Sequence, residues 1–359
     1  MTTSRRIPQR SSLAAQAADI LREEIHSGVW SQCLPGEMEL CERLQVSRVT
    51  LRAALAQLQR ERLVKAGQGR RREIIKMRPR VRRKTASKQV IFLLTHPLSV
   101  TPQFVLFLID DLRERLSRDG YQLETLTHAA SYIARPERTL QALIARHQPA
   151  GWILCQSTPA MQQWFSARNL PCVISGSRPS VIELPAIDVD YHALCRHAAS
   201  RFLAKGHRHL GLVNPQPVLA GDRESEHGFR DGVSHHPESR ITFCHHDGTR
   251  DNVCAQLDRL LNVPDRPTAL LVSRANHVLT VLGHLSRRGL KVPQDMALIS
   301  RDDDPVLQHV VPTVARYTTD SALFARKLCR LVLEVVRSGV IRPRRQQLMP
   351  HFLPGETLG

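Results

Sequence analysis

The chain has 359 residues, of which 42% are hydrophobic and 23% charged. This composition excludes a disordered or fibrous protein and is typical of a globular chain long enough for two or three domains. The charge is unusual: residues 1–89 carry 20 Lys and Arg against 8 Asp and Glu, residues 90–359 carry 31 against 25, and the net charge is +18. We therefore expect a polyanionic partner, with nucleic acid and an acidic membrane surface as the candidates.

Neither a membrane span nor an export signal is predicted. No window approaches 18 consecutive apolar residues, and the first residues, MTTSRRIPQR, lack the apolar stretch of a signal peptide. The eight cysteines form no CxxC pair and show no disulfide-framework spacing. We therefore expect a cytoplasmic protein in which most cysteines are small core residues.

Three short helices are predicted near the start of the chain. Apolar residues recur at helical spacing from Leu13 to Ile25, and Ser27-Gly28 follows as a helix stop. A second helix is predicted from Glu37 to Leu44, with acidic residues in its first turn. Ser47 is a natural N-cap for a third helix, whose apolar face is formed by Leu51, Ala54, Leu55 and Leu58. This arrangement is typical of a helix-turn-helix.

A β-hairpin and a basic linker are predicted next. Two extended runs, residues 63–66 and 70–75, flank Gly67-Gln68-Gly69 and indicate a hairpin, or wing. Residues 76–89, KMRPRVRRKTASKQ, carry seven basic and no acidic side chains and lack apolar periodicity. This pattern predicts a first domain over residues 1–75, a linker over 76–89 and a second domain over 90–359.

From Val90 onward, short apolar runs alternate with amphipathic segments. Strands are predicted at Val90–Leu94, Tyr121–Leu126, Gly151–Cys155, Cys172–Ser175, Ile187–Val189, Leu210–Val213, Ile241–Phe243, Ala269–Val272, Ala297–Ile299 and Ala315–Tyr317. Helices between them include Phe104–Arg118, His192–Lys205, Val253–Leu261, Val278–Arg288 and Ala322–Arg337. This alternation predicts an α/β domain with parallel sheets. Because about 270 residues exceed what one such sheet needs, we expect two lobes and a ligand crevice at the carboxyl ends of the strands.

The strongest local motif is LPGEMELCERLQVSRVTLRAAL, residues 34–55. With residues 25–28 before it and 58–64 after it, it resembles the winged helix-turn-helix of the GntR family of bacterial transcription regulators. The resemblance implies DNA binding by the recognition helix and the wing. The DNA-binding residues we expect are Ser47, Arg48, Thr50, Arg52, Gly67, Gly69 and Arg70. Independently of the resemblance, arginines in the first turn of such a helix can reach phosphates or guanine edges, although Arg48 and Arg52 could instead form a solvated charged face.

Two departures from the GntR pattern leave the expected operator sequence less well defined. Met38 stands where many relatives have an arginine, and the stretch between Gly28 and Leu34 is shorter than the commonest form. The basic residues from Arg70 to Lys88 predict additional sequence-independent phosphate contacts, or else a solvated linker extended by self-repulsion. A membrane surface is disfavoured, because Met77 and Val81 alone are too few apolar anchors.

Residues 90–353 resemble the effector-binding domain of the LacI family, which is similar to periplasmic sugar-binding proteins. The resemblance lies in VDYHAL (189–194), GHRHLGLV (206–213), Arg223 with GFR (228–230), PTAL (267–270), GLKVPQD (289–295), Asp302-Asp303 and Pro312. It implies a small polar effector, such as a sugar, bound in the crevice between the lobes. The effector-binding residues it implies are Arg223, Asn276 and Asp302, and Thr95 and His96 would lie at the same rim. The alternatives are a surface ion pair for Arg223 and a turn or cap role for Asp302.

The second domain also departs from its family pattern. His277 follows Ala275-Asn276 in place of an aspartate, Ser300-Arg301 replaces Gly and an aromatic residue, and Gly176 stands where relatives often have an aspartate. Fewer acceptors and more cationic groups favour an anionic sugar derivative, such as a sugar phosphate or a sugar acid.

These patterns together predict a DNA-binding transcriptional regulator that acts as a repressor and homodimer, without enzyme activity, metal or cofactor. Two alternatives remain open at this point. One is a sugar-binding protein without a regulatory role, which would need export. The other is a metal-dependent hydrolase using the histidines at 207, 209, 235 and 236 and the cluster Cys244-His245-His246-Asp247, although adjacent histidines on a strand point to opposite faces.

Overall fold

The computed structural model describes residues 12–26, 30, 33–61, 63–65, 72–74, 87–133, 135–216 and 218–359. Its contacts divide the chain into two units, residues 1–85 and 86–359. The predicted wing residues Gly67, Gly69 and Arg70, and most of the basic linker, lie outside the described residues.

The first unit contains the three predicted helices, which are α1 (Leu13–His26), α2 (Glu37–Leu44) and α3 (Arg48–Arg60). Gln45 adopts a left-handed conformation with φ of 53° after α2, and this residue makes the tight connection to α3 possible. The helices enclose one apolar core, whose fully buried members include Ala18, Leu21, Leu34, Leu40, Leu51, Leu55 and Leu58. The helix-turn-helix prediction is confirmed.

The predicted hairpin is present as two short antiparallel strands, β1 (Val64–Lys65) and β2 (Glu73–Ile74). Cys33 forms an isolated antiparallel bridge to Glu73, so the residue just before the LPGE motif lies beside the wing. Val64 is buried in the core of the unit. The hairpin is therefore packed against the helices by its first strand.

The second unit has two lobes. The first lobe contains β3 (Gln89–Leu94), α4 (Gln103–Arg118), β4 (Gln122–Thr127), α5 (Glu137–Arg146), β5 (Gly151–Cys155), α6 (Pro159–Ala167), β6 (Cys172–Ser175) and β7 (Ala186–Val189). The second lobe contains α7 (Tyr191–Ala204), β8 (His209–Pro215), α8 (Ala220–Val233), β9 (Arg240–His246), α9 (Arg250–Leu261), β10 (Ala269–Val272), α10 (Ala275–Arg287), β11 (Ala297–Ser300) and β12 (Ala315–Thr318). The chain then adds α11 (Ser321–Ser338), β13 (Arg345–Leu348) and β14 (His351–Leu353).

Each lobe has a six-stranded sheet, and the strand orders are β13-β7-β6-β5-β3-β4 and β14-β12-β11-β10-β8-β9. All neighbouring strands are parallel except β12 and β14. Every residue of β5, β6, β10 and β11 is buried, because helices cover both faces of each sheet. The predicted α/β architecture with parallel sheets in two lobes is confirmed.

The chain passes between the lobes three times, after β7, after β12 and after β13. The helix α11 returns to the first lobe, where its apolar face shares a core with α4 through residues such as Phe324, Leu328 and Leu112. In the second lobe, Gly228 packs so closely on the backbone of His192 that a Cβ would clash with the carbonyl oxygen. This contact explains the glycine of the GFR motif and joins α7 tightly to α8.

Five of the eight cysteines are buried, as expected, and all eight are free. No helix in the described ranges is long and apolar enough to cross a membrane.

Candidate functional site

The first candidate site is the open face of α3. Arg48 and Arg52 are exposed, and Val49 between them is 80% exposed. The opposite face, with Leu51 and Leu55, is fully buried. An amphipathic helix that presents two arginines in its first turns has the geometry that major-groove recognition requires.

Ser47 and Thr50 lie at the start of α3. The Oγ of Ser47 accepts a hydrogen bond from the Thr50 amide at 3.2 Å and lies 2.9 Å from the Thr50 Oγ1. The N-cap role of Ser47 is therefore confirmed, and a DNA contact by either hydroxyl stays a prediction. The cap fixes where the first turn of α3 starts and thus where Arg48 and Arg52 lie.

Glu37 connects three parts of the first unit. Its carboxylate accepts from the Nε of Arg52 at 2.9 Å and from the Nη2 of Arg72 at 3.2 Å. These hydrogen bonds lower the pKa of Glu37, with the larger effect from Arg52, so the carboxylate stays charged. Arg52 makes no other hydrogen bond within the described ranges, which leaves its terminal nitrogens available to a phosphate.

The second candidate site is a cavity of about 490 Å³ between the two lobes of the second unit. It lies at the carboxyl ends of β5, β6, β7, β11 and β12, the edge where the sequence predicts a ligand crevice. Its apolar lining includes the aromatic side chains of Phe104, Phe107, Tyr191, Tyr317 and Phe324.

Arg301 forms part of the cavity floor and is only 1% exposed. Its Nε and Nη2 donate to the two oxygens of Asp302 at 3.1 and 3.3 Å, and its Nη1 donates to Asp222 at 3.0 Å. The guanidinium also lies over the ring of Tyr191, 4.4 Å from its centroid. Burial lowers the pKa of Arg301, but the carboxylate of Asp302 outweighs this effect and keeps the group charged.

A second arginine, Arg274, joins the same network. Its Nη2 lies 3.0 and 3.1 Å from the two oxygens of Asp222, and its Nη1 lies 3.5 Å from Asp302. Two guanidinium groups and two carboxylates therefore neutralise one another at the floor of the cavity.

Three further carboxylates line the cavity. Asp188 is buried and accepts a hydrogen bond from Ser177, and burial raises its pKa to about 7. Asp303 is paired with Arg316 at 2.7 Å, and Asp320 caps α11 by accepting from the Leu323 amide. Because the aspartates of the lining outnumber its arginines, the cavity is not the cationic site that the sequence indicated.

The structure brings only part of the predicted effector site together. Asp302 lines the cavity, while Thr95 and His96 line an adjoining recess that shares Cys155 and Gln156 with it. Asp302 is held by Arg301, so the cationic group that the sequence indicates as a ligand partner is instead bound to a carboxylate of the chain.

Arg223 and Asn276 are exposed and do not line the cavity. The buried positions of α8 are Asp222, Ser225, Glu226, Gly228 and Phe229, so helical periodicity places Arg223 on the outer face. In α10, Ala275, His277 and Val278 are buried and Asn276 is not. The cavity is instead lined by Arg274, two residues earlier at the N-cap of α10, which is held there by Asp222.

The histidines occupy separate places. His245 bonds to Glu226 at 2.8 Å, and His246 stacks edge-on against His277 at 4.5 Å between ring centroids. Burial lowers the pKa of His246 to about 4. Across the described residues, no group of three potential metal ligands was found.

Comparison with known proteins finds a separate family match in each of the two units. Residues 13–74 match the family of bacterial regulatory proteins known as gntR, and residues 199–358 match a periplasmic binding protein-like domain. The transcriptional regulator CelR of Thermobifida fusca is 25% identical over 204 residues, which are 55% of this chain and 59% of CelR. The repressor PurR of Vibrio cholerae strain M66-2 is 19% identical over 258 residues, covering 70% of this chain and 75% of PurR.

A solved structure of a CelR–cellobiose complex aligns with 97% of this chain and 100% of its own, with a TM-score of 0.66 and 20% identity. This likeness shows a shared fold. The chain spans about three fifths of the length of CelR in the sequence alignment. These relatives are transcriptional regulators by name, in agreement with the expectation that the chain is not an enzyme.

Proposed function

We propose that this chain, which joins a helix-turn-helix domain of the GntR family to a periplasmic-binding-protein-like domain, is a transcriptional regulator that binds duplex DNA. The observation that carries the proposal is the face of α3, where Arg48 and Arg52 are exposed on a helix whose other face is fully buried. A helix fixed in this way can enter the major groove, because its recognition side chains are presented on a rigid element.

The proposed contacts divide into two kinds. Arg48 and Arg52 would bind guanine edges or phosphates from the recognition helix, with Ser47 and Thr50 beside them at its start. The wing residues Gly67, Gly69 and Arg70 would approach the sugar-phosphate backbone. We propose a homodimer, because two such heads would match the half-sites of a palindromic operator.

The cavity of the second unit would bind the effector, and we propose a neutral polyol such as a sugar. Carboxylates such as Asp302 and Asp303 accept hydrogen bonds from hydroxyl groups, and the aromatic lining suits the apolar faces of a sugar ring. An anionic ligand is disfavoured, because Arg274 and Arg301 already have carboxylate partners. The CelR structure, whose ligand is cellobiose, is consistent with this class.

Regulation would follow if the effector binds the closed and open arrangements of the lobes with unequal affinity. Two of the three crossings between the lobes, after β7 and after β12, contribute residues to the cavity lining, so closure on a ligand would move the first lobe, to which the linker is attached, relative to the second. We propose repression as the direction, in line with PurR, which is named a repressor.

The test is operator selection from a pool of random duplexes with the full-length protein, followed by binding measurements on the selected sequence. We expect a palindromic site and an affinity that changes when a sugar panel is added. The same protein with Arg48→Ala should lose selection while remaining folded. A protein that binds sugars but selects no DNA would instead be a sugar-binding module without regulatory function.

A further inference from the structure

A groove on the outer surface of the first lobe concentrates arginine side chains. It runs along the seam between α4 and α11 and has a volume of about 640 Å³. We call it the arginine groove, and its cationic members are Arg115, Arg118, Arg326, Arg330 and Arg337. It is separate from the cavity between the lobes, with which it shares no lining residue.

Most of this positive charge has no internal partner. Asp119 and Glu334 are the acidic residues of the lining, and Asp119 is bound by Arg337. Arg118 pairs with Glu114 on its own helix. In the described part of the chain, the remaining arginines of the groove, Arg115, Arg326 and Arg330, have no carboxylate partner. Three unpaired guanidinium groups thus face one groove.

The floor of the groove adds an unsatisfied donor. The Nε of Arg115 is buried and has no hydrogen-bond partner among the described residues. Leaving a buried polar atom unpaired costs free energy, and a bound acceptor would recover it only if the Arg115 side chain turned out into the groove. Arginine presents a planar fork of donors that matches the oxygens of a phosphate in two parallel hydrogen bonds.

The spacing of the arginines suits an extended ligand. Arg326, Arg330 and Arg337 recur at intervals of four and seven residues and therefore lie on one face of α11. Arg115 and Arg118 are three residues apart on α4, at the other wall of the groove. A single small anion would engage one or two of these side chains, whereas a chain of phosphates could engage the whole row.

The groove also lies where the basic linker joins the second unit. The Lys88 carbonyl accepts from the Gln122 amide at 2.8 Å, and the Lys88 ammonium lies 3.5 Å from the position a Cβ would take on Gly120. Gly120 directly follows Asp119 of the groove. The chain that leads from the DNA-reading domain therefore begins the second unit beside these arginines.

We propose that the arginine groove binds the phosphate backbone of duplex DNA as a second, sequence-independent contact. The proposal rests on the proposed DNA-binding function and adds to it a surface on the effector domain. DNA is the occupant that the observations favour, because the charge is arranged in a row, lies beside the linker and belongs to a chain with an excess of positive charge throughout.

The test compares Arg326→Gln/Arg330→Gln with a matched control, Arg138→Gln/Arg146→Gln. Both pairs are exposed arginines of the first lobe, and the control pair lies on α5, away from the groove. The probe is a random-sequence duplex several helical turns long, titrated with the full-length protein over a range of salt concentrations. The slope of log K against log salt is negative, and each lost phosphate contact makes it shallower by about 0.9.

We expect the slope of the groove variant to be shallower by about 2 and its binding at low salt to be roughly tenfold weaker, while the control retains the wild-type slope. An unchanged slope in the groove variant, with wild-type protein binding DNA normally, overturns the groove proposal and leaves the regulator intact. Absence of DNA binding by the wild-type protein contradicts the proposed function itself.

Two further readouts separate other occupants. Thermal unfolding with inorganic phosphate tests a free anion: a phosphate shift lost in the groove variant, together with an unchanged DNA slope, would overturn the proposal in favour of a small-anion site. Sedimentation of both variants tests a second copy of the chain. A groove variant that changes only its oligomeric mass would also overturn it.

Discussion

The Nη1 of Arg301 lies 3.0 Å from the Oδ1 of Asp222, and the two side chains are 1% and 2% exposed. This pair joins β11 to α8 beneath the cavity between the lobes. Asp222 also binds Arg274, so one carboxylate supports two guanidinium groups. The arrangement of the cavity floor therefore depends on Asp222, which does not itself line the cavity.

Removal of this carboxylate should destabilise the second unit strongly. We expect Asp222→Ala to lower the free energy of unfolding by about 3 kcal/mol or more, because it removes one of the two carboxylates that pair with the buried Arg301 and the carboxylate that binds Arg274. Asp231→Ala, on the exposed face of the same helix, is the control and should cost less than about 1 kcal/mol. Urea unfolding followed by circular dichroism measures both. Equal losses in the two variants would show that the pair contributes little.

The ligand class can be tested independently of DNA. We expect neutral sugars or polyols to raise the melting temperature of the wild-type protein and the corresponding sugar phosphates to have little effect. Asp302→Asn should weaken binding of an active sugar about tenfold, or 1.4 kcal/mol, because an amide accepts fewer hydrogen bonds than a carboxylate.

The control for this prediction is Asp304→Asn, which changes a neighbouring carboxylate outside the cavity lining. It should leave sugar affinity unchanged. A panel in which sugar phosphates stabilise the protein better than their neutral parents would show that Arg274 and Arg301 exchange their internal partners for the ligand.

The strands could be predicted closely from sequence because parallel, doubly covered strands appear as short uninterrupted apolar runs. The predicted strands at residues 151–155 and 172–175 match the observed bounds for this reason. The helices α5, α6 and α8 received no individual prediction. α8 is rich in polar residues, and its buried positions include Asp222, Ser225 and Glu226, so it lacks a clear apolar stripe.

The cavity residues were harder to predict for the same reason. A family pattern pointed to Arg223, but the register of α8 places Asp222 inward, and no periodicity reveals which polar residue faces a cavity. Arg301 adjoins Asp302 in sequence and could have been recognised as its partner. The pairing of Arg274 with Asp222 joins residues 52 positions apart and depends on the tertiary fold.

Asp188 should make stability depend on pH. Because its pKa is raised from 3.8 to about 7, the folded state holds its proton more tightly than the unfolded chain. This contribution is present at low pH and is lost as the pH rises towards and through 7, at about 1.4 kcal/mol for each unit of pKa displacement. Asp188→Asn keeps an acceptor for Ser177 without the charge.

We therefore expect Asp188→Asn to match the wild type near pH 4 and to exceed its stability by a few kcal/mol near pH 8, in urea unfolding at both values. Asp110→Asn, at a well-exposed carboxylate of α4, is the control and should show no such divergence. Parallel pH profiles of the wild type and Asp188→Asn would contradict the raised pKa.

The recognition helix offers the most direct test of the regulator. Arg48→Ala should reduce affinity for the selected operator by about 10- to 100-fold, or 1–3 kcal/mol, because it removes a guanidinium from the first turn of α3. Arg60→Ala lies at the other end of the same helix and changes the charge equally, so it controls for general electrostatics. Fluorescence anisotropy on operator and scrambled duplexes measures both variants. If Arg48 reads a base, its loss lowers operator affinity more than scrambled affinity; an equal reduction on both duplexes would assign it to a phosphate instead.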